Sequence, residues 1–171
     1  MNTRKIAFAG VIAALYAALT IALSSIAYGP IQFRIAEALC ILPFFFPFSV
    51  WGIFVGCIVA NLISPYPLDI VVGAVASLLA ALCTMQIGKM GKKRIWVKAL
   101  ACLPPVVFNA IFIGALIAYY MVSAGEAKTF LPTFITNGIQ VGFGQFVVLY
   151  AVGFPLMIYL PRIKAFSDLI E

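Results

Sequence analysis

The sequence predicts an all-α integral membrane protein, a compact bundle of six transmembrane helices with both termini in the cytoplasm. Three observations lead there. Hydrophobic residues make up 65% of the 171 positions and charged residues 9%, with a mean hydropathy of +1.16, so there is too little polar surface to coat a water-soluble globule and lipid must be the solvent. Apolar runs recur at the length needed to cross a bilayer, about 20 residues. The basic residues flank those runs: Arg4 and Lys5 precede the first, Lys89, Lys92, Lys93, Arg94 and Lys98 share one loop, and Arg162 and Lys164 follow the last. That bias marks the cytoplasmic side.

Taken in order, the first run extends from Ile6 to Tyr28 and is too long and too poor in cleavage signals to be only a removed signal peptide. It is expected to be a retained span. Arg34 to Ser64 is apolar but broken by Pro43, Pro47 and Trp51-Gly52, which leaves two short helices or a re-entrant pair. Longer runs follow from Leu68 to Ile87, from Ala99 to Val122 and from Pro132 to Leu160, the last long enough to tilt. Parity constrains the middle stretch. A single crossing there would place the Lys89 to Lys98 loop opposite Arg4 and Lys5, whereas two crossings or a returning hairpin keep all the basic flanks together. The expected spans are therefore 6–28, 34–48, 50–64, 68–87, 99–122 and 132–160, in a single transmembrane domain over 1–171. Gly29 to Phe33, Ser64 to Pro67 and Ser123 to Leu131 would form the outer loops.

Several classes of function are disfavoured. The four cysteines, Cys40, Cys57, Cys83 and Cys102, sit at wide spacings inside apolar runs, and the chain has no histidine. Neither a metal site nor a disulfide framework fits that pattern, and no catalytic constellation of Ser/His or Cys/His type can form. No cofactor is expected. No phosphate-cradling loop of the Walker type occurs, so an energised transporter would draw its ATPase from other chains. A net charge of +6 is accounted for by topology, without a nucleic-acid partner.

Polar residues inside apolar runs carry more information, because an ionisable group at membrane depth costs about 2.5–3.5 kcal/mol on the insertion scale and usually has a partner, a wet cavity or a ligand. Arg34 and Glu37 lie three apart, where a helix would put them on one face, and Asp69 opens the fourth segment. Arg34 and Glu37 could instead pair with each other at the helix end, and Asp69 could simply complement a helix dipole. The amides Gln32, Asn61, Asn109, Asn137, Gln140 and Gln145 lie within or beside apolar runs. Helix-to-helix hydrogen bonds explain some of them. Together with the carboxylates they also suit an outward-facing pocket for a polar, planar ligand. Phe33, Tyr66, Tyr119, Tyr120, Phe130 and Phe134 crowd the same side, either as an interfacial belt or as stacking partners. On the first span, Ala9, Ala13 and Ala17 form one small-residue stripe and Ala14, Ala18 and Ala22 another, and either allows close approach of a second helix.

The blocks YGPIQFRIAEALCILPFFFP, from Tyr28 to Pro47, and GIFVGCIVANLISPYPLDIVVGAVASLLAA, from Gly52 to Ala81, closely resemble the QueT family of substrate-binding S components of energy-coupling factor transporters. The resemblance implies a plasma-membrane protein of bacteria that captures a queuosine precursor, a 7-deazaguanine such as 7-aminomethyl-7-deazaguanine, near the outer face. It also implies a transmembrane T component and two cytoplasmic ATPases as partners, with docking through small residues of the first helix, for which Ala9, Ala13 and Ala17 are the expected face. A guanine-like edge presents two parallel donors that one carboxylate can accept, and a carbonyl that needs a donor. Glu37 and Arg34 or the amides could supply both, with Asp69 or Glu126 as a second acid for the cationic aminomethyl group. An S component for another flat vitamin, or a structural subunit without ligand, remain the competing readings.

Overall fold

The computed structural model describes residues 3–29, 31–164 and 166. Every regular element among its described residues is a helix, and four helices are long and apolar enough to cross a membrane: Thr3–Ala22, Asp69–Gly88, Ile95–Ser123 and Phe130–Arg162. They match the four long runs of the sequence. Apolar side chains cover the outside of the bundle, with Val11, Val71 and Ile139 each more than 60% exposed, as a lipid-facing surface requires. The chain is thus a membrane protein.

In chain order, α1 (Thr3–Ala22) is followed by a single turn, α2 (Ser24–Ala27). A 3₁₀ helix (Ile35–Phe44) and α3 (Ser49–Asn61) come next, then α4 (Asp69–Gly88). Helices α5 (Ile95–Ala101) and α6 (Leu103–Ser123) form one rod broken at Cys102, ahead of Pro104 and Pro105. Helix α7 (Phe130–Val148) continues through a π-helical turn at Leu149–Gly153 into α8 (Phe154–Tyr159) and a last 3₁₀ turn at Leu160–Arg162. Pro155 has no N–H to offer the preceding turn, and the hydrogen-bond ladder is relaxed just before it.

The middle stretch left open by the sequence forms two short helices. Ten residues of 3₁₀ helix span about 20 Å, and thirteen residues of α-helix about the same, both short of a hydrocarbon core of about 30 Å. The 3₁₀ helix is a core element. Ala36, Glu37, Ala38, Cys40, Ile41, Leu42, Pro43 and Phe44 are all buried, with α1, α3, α4, α7 and the π turn around them. A 3₁₀ run of this length is uncommon. Here the small Ala36 and Ala38 let neighbouring helices close on a narrow rod.

Contacts define the two ends of the bundle. At one, Lys92 donates to the Phe45 carbonyl (3.2 Å) and Lys98 to the Met157 carbonyl (3.0 Å), while Phe8 packs on Phe46 and Phe48. The basic flanking residues cluster at this end. At the other, Tyr28 donates to the Ala60 carbonyl (2.7 Å), Asn61 to the Asp69 carbonyl (2.7 Å), and the Leu68 N–H to the Tyr120 hydroxyl (3.3 Å). The two termini, expected together at the basic end, lie outside the described residues.

Close backbone approach ties the rods together. A Cβ at Gly52 would come 2.5 Å from the Ala9 carbonyl oxygen, and one at Gly56 would come 2.8 Å from that of Ala13. Gly114 meets Gly138 in the same way, at 2.6 Å, between α6 and α7. The Ala9, Ala13 and Ala17 stripe therefore faces inward onto α3, with Ala9 and Ala17 buried. Ala14, Ala18 and Ala22, together with Gly10, are exposed.

Candidate functional site

Of the polar residues singled out by the sequence, Gln32, Arg34, Glu37, Asn61, Asp69, Asn109 and Gln145 are buried inside the bundle, and Arg34, Asn61 and Asp69 lie toward the end opposite the basic loop. Arg34 precedes the 3₁₀ helix with φ −86° and ψ 89°. Its backbone lies outside the helical region, and its side chain leaves the line of Glu37. It reaches across to α4, where Nη2 stands 3.4 Å from Asp69 Oδ2, with both side chains 2% exposed. The guanidinium also lies over the Tyr28 ring, 5.1 Å from its centroid. The ion pair is loose, since charge-assisted N–H···O bonds ordinarily close to about 2.7–2.9 Å. Ser64 donates a further bond to Asp69 Oδ2 at 3.0 Å.

Glu37 belongs to a second layer and does not pair with Arg34 in the geometry observed. Tyr16 of α1 donates to its Oε1 at 2.6 Å, Ser77 of α4 to the same oxygen at 3.4 Å, and the Cys40 thiol to Oε2 at 3.0 Å. Spacing within the 3₁₀ helix explains the last bond, because residues three apart stand one above the other. Cys57 joins the layers, accepting from Asn61 (3.5 Å) and lying 3.4 Å from the Ser77 hydroxyl, whose single proton serves either Cys57 or Glu37. Arg34, Asp69, Asn61, Cys57, Ser77, Glu37 and Tyr16 thus form one continuous buried network.

Among the described residues, four buried side-chain atoms have no hydrogen-bond partner: Arg34 Nε, Asp69 Oδ1, Asn109 Nδ2 and Gln145 Oε1. Each such atom costs about 1–3 kcal/mol unless something satisfies it. All four belong to residues the sequence marked as ligand candidates. Asn109 and Gln145 stand on facing walls of α6 and α7, one turn from Ile113 and Val141, which share an apolar cluster. The unpartnered set holds two donors and two acceptors.

Other candidates are placed differently. Gln32 is buried with φ +54°, a conformation uncommon outside glycine. Its segment lies directly on α7, where a Cβ on Gly144 would run into the Ile31 carbonyl. Ser25, Ile26, Gly29, Ile31, Gln32 and Phe33 line a cavity of about 230 Å³ there. Asn137 is half-buried and donates back to the Thr133 carbonyl at 2.8 Å, which turns its amide toward its own helix. Gln140 is also half-buried on α7. Tyr66 and Tyr120 pack at 5.1 Å and Phe130 stacks on Phe134 at 6.1 Å. Burial, then the Glu126 and Asp69 carboxylates, push the Tyr66 phenol above its ordinary range.

Sequence reasoning missed Tyr16, Ser77, Tyr28 and Ser64. A signal existed for Tyr16, since Ile12, Tyr16 and Thr20 recur every fourth residue and all are buried on α1. For Ser77 and Ser64 the sequence offered none, because a lone serine in or beside an apolar run is ordinarily a packing residue.

A polar network buried inside the apolar shell of a membrane-embedded helical bundle marks a candidate functional site of an integral membrane protein. The chain matches the family described as "QueT transporter" over residues 6–162. It belongs to that family, whose members are transporters and not enzymes. It is also 38% identical over 80 residues to the "Queuosine precursor transporter QueT" of Lactococcus lactis subsp. cremoris (strain MG1363). That alignment covers 46% of this chain and 47% of the relative, so the chain spans about half the length of the curated relative it matches. No solved structure matches the chain.

Proposed function

We propose that this protein is the substrate-binding S component of an energy-coupling factor transporter, capturing a queuosine precursor of the 7-deazaguanine class, such as 7-aminomethyl-7-deazaguanine. Family membership and the name of the Lactococcus relative support the substrate class. The observation that carries the reading is the set of four unpartnered buried atoms, two donors and two acceptors. A guanine-like edge offers the complement, two parallel donors for a carboxylate and a carbonyl for an N–H.

Asp69 is the better placed carboxylate. Oδ1 is buried without a hydrogen-bond partner, and its neighbour Arg34 keeps an unpartnered N–H with which to meet the ligand carbonyl. Both oxygens of Glu37 already accept bonds, so it acts chiefly by holding the 3₁₀ helix in place, and a second acceptor for the cationic aminomethyl group comes from Gln145. Asn61 fixes Asp69, while Asn109 donates from α6. Gln32, Asn137 and Gln140 border the route in.

The chain resides in the bacterial plasma membrane with six crossings and with its termini and basic loop in the cytoplasm. A T component and two ATPases supply the energy. The docking face on α1 is the exposed Ala14, Ala18 and Ala22 line, because Ala9 and Ala13 are enclosed by α3. Mass spectrometry of small molecules released from the purified chain tests the proposal. A 7-deazaguanine retained in near-stoichiometric amount supports it, and a different flat vitamin in its place would overturn the substrate assignment.

A further inference from the structure

On the outside of the bundle, near the basic end, α4 packs beside the broken rod α5–α6. Between them lies an open groove of about 500 Å³, walled by Leu82, Cys83, Ile87, Leu103, Val107 and Phe108. The rod breaks at Cys102, ahead of Pro104 and Pro105; on its inner side α4 stays tied to α5, where Thr84 donates to the Ala101 carbonyl (3.0 Å), and the groove opens on the outer side only. From Leu100 to Phe108 the groove runs about 12 Å along the helix, within the roughly 15 Å that one leaflet contributes to the hydrocarbon core.

The polar residues at its mouth are not those of a bare lipid-facing wall. Gln86 lines the groove and is exposed, and an amide facing hydrocarbon is costly unless something accepts from it. One turn further along α4 comes Lys89, and one turn before Leu100 comes Trp96, half exposed, in the position an interfacial anchor takes. Lys93 and Arg94 are exposed in the same loop. Lys89, Lys93 and Arg94 do not line the groove themselves; they belong to the loop that joins its two walls, just beyond Gln86 and Ile87.

We infer that this groove binds one anionic glycerophospholipid of the leaflet at the basic end. Its phosphate lies over Lys89, Lys93 and Arg94, its ester carbonyls accept from Gln86, and an acyl chain lies along Leu103, Val107 and Phe108. Basic residues at the headgroup layer favour an anionic lipid by about fivefold each. The site is separate from the buried polar network, so the inference does not depend on the substrate.

The test uses the full chain in vesicles with a single tryptophan reporter in the groove, Phe108→Trp in a Trp51→Phe, Trp96→Phe background. Brominated phosphatidylglycerol or brominated phosphatidylcholine is mixed into plain phosphatidylcholine, and quenching is followed against mole fraction. The expected result is half-maximal quenching at a several-fold lower fraction for phosphatidylglycerol, a preference reduced by Lys89→Gln and abolished by Cys83→Phe, which fills the groove and keeps every charge. Equal quenching by the two lipids overturns the inference. So does a preference that survives Cys83→Phe, which would mark a diffuse basic surface. Quenching by neither lipid, as when a second protein chain covers the groove, contradicts it as well.

Discussion

Replacing Asp69 by asparagine keeps the side-chain shape and can still accept from Ser64, but it removes the charge that faces Arg34 at 3.4 Å. It also substitutes one N–H₂ for an acceptor where, on the present account, the ligand donates twice. Truncating one partner of a buried, hydrogen-bonded charge pair costs about 2–5 kcal/mol, which at roughly 1.4 kcal/mol per tenfold is about thirtyfold to a few thousandfold in affinity. The looseness of the Arg34 contact places the stability loss at the lower end of what a buried pair can show, so the variant is expected to fold. The assay is calorimetric titration of the purified variant with 7-aminomethyl-7-deazaguanine, beside a thermal unfolding curve. Affinity should fall by at least thirtyfold while a cooperative transition remains. Wild-type affinity in a folded Asp69→Asn protein would refute the reasoning and reduce Asp69 to a clamp for Arg34.

Glu37→Gln and Tyr16→Phe should behave in the opposite sense, since they disturb bonds within the bundle. Each should lower stability by about 1–3 kcal/mol in denaturant or thermal titrations and change affinity less than Asp69→Asn does. A thirtyfold affinity loss in stable Glu37→Gln would return Glu37 to the ligand. Ala14→Trp or Ala18→Trp should leave binding to the isolated chain intact and abolish uptake in cells holding the full transporter; unchanged uptake would exclude that face from docking. Gly52→Leu, by contrast, must part α1 from α3 and should impair folding itself. A cysteine at Lys93 should react with an impermeant maleimide only after the membrane is opened, and labelling in intact cells would contradict the six-crossing topology.

The long spans and the charged and amide members of the buried polar set were legible in the sequence, because both follow from solvation; its hydroxyl members were not. Twenty apolar residues in a row have one stable environment, and a charge among them needs a partner. Pairing was not legible. Arg34 and Glu37 stand three apart in the chain, yet the residue before a helix has its own dihedral angles, and a non-helical Arg34 reaches Asp69, 35 residues away. The 3₁₀ form of Ile35–Phe44 was equally hidden, since its apolar run fits either helix and the choice is made by the surrounding rods. The two alanine stripes of α1 have identical spacing. Which one turns inward is decided by Gly52 and Gly56 on a different helix.

The central claim is that the buried network is completed by a 7-deazaguanine, and equilibrium titration of the ligand-free chain tests it most directly. Binding of 7-aminomethyl-7-deazaguanine should be stoichiometric and far tighter than that of riboflavin or thiamine, and should raise the unfolding temperature in proportion to ligand excess. No binding by a well-folded chain, or equal binding of an unrelated flat vitamin, would contradict it.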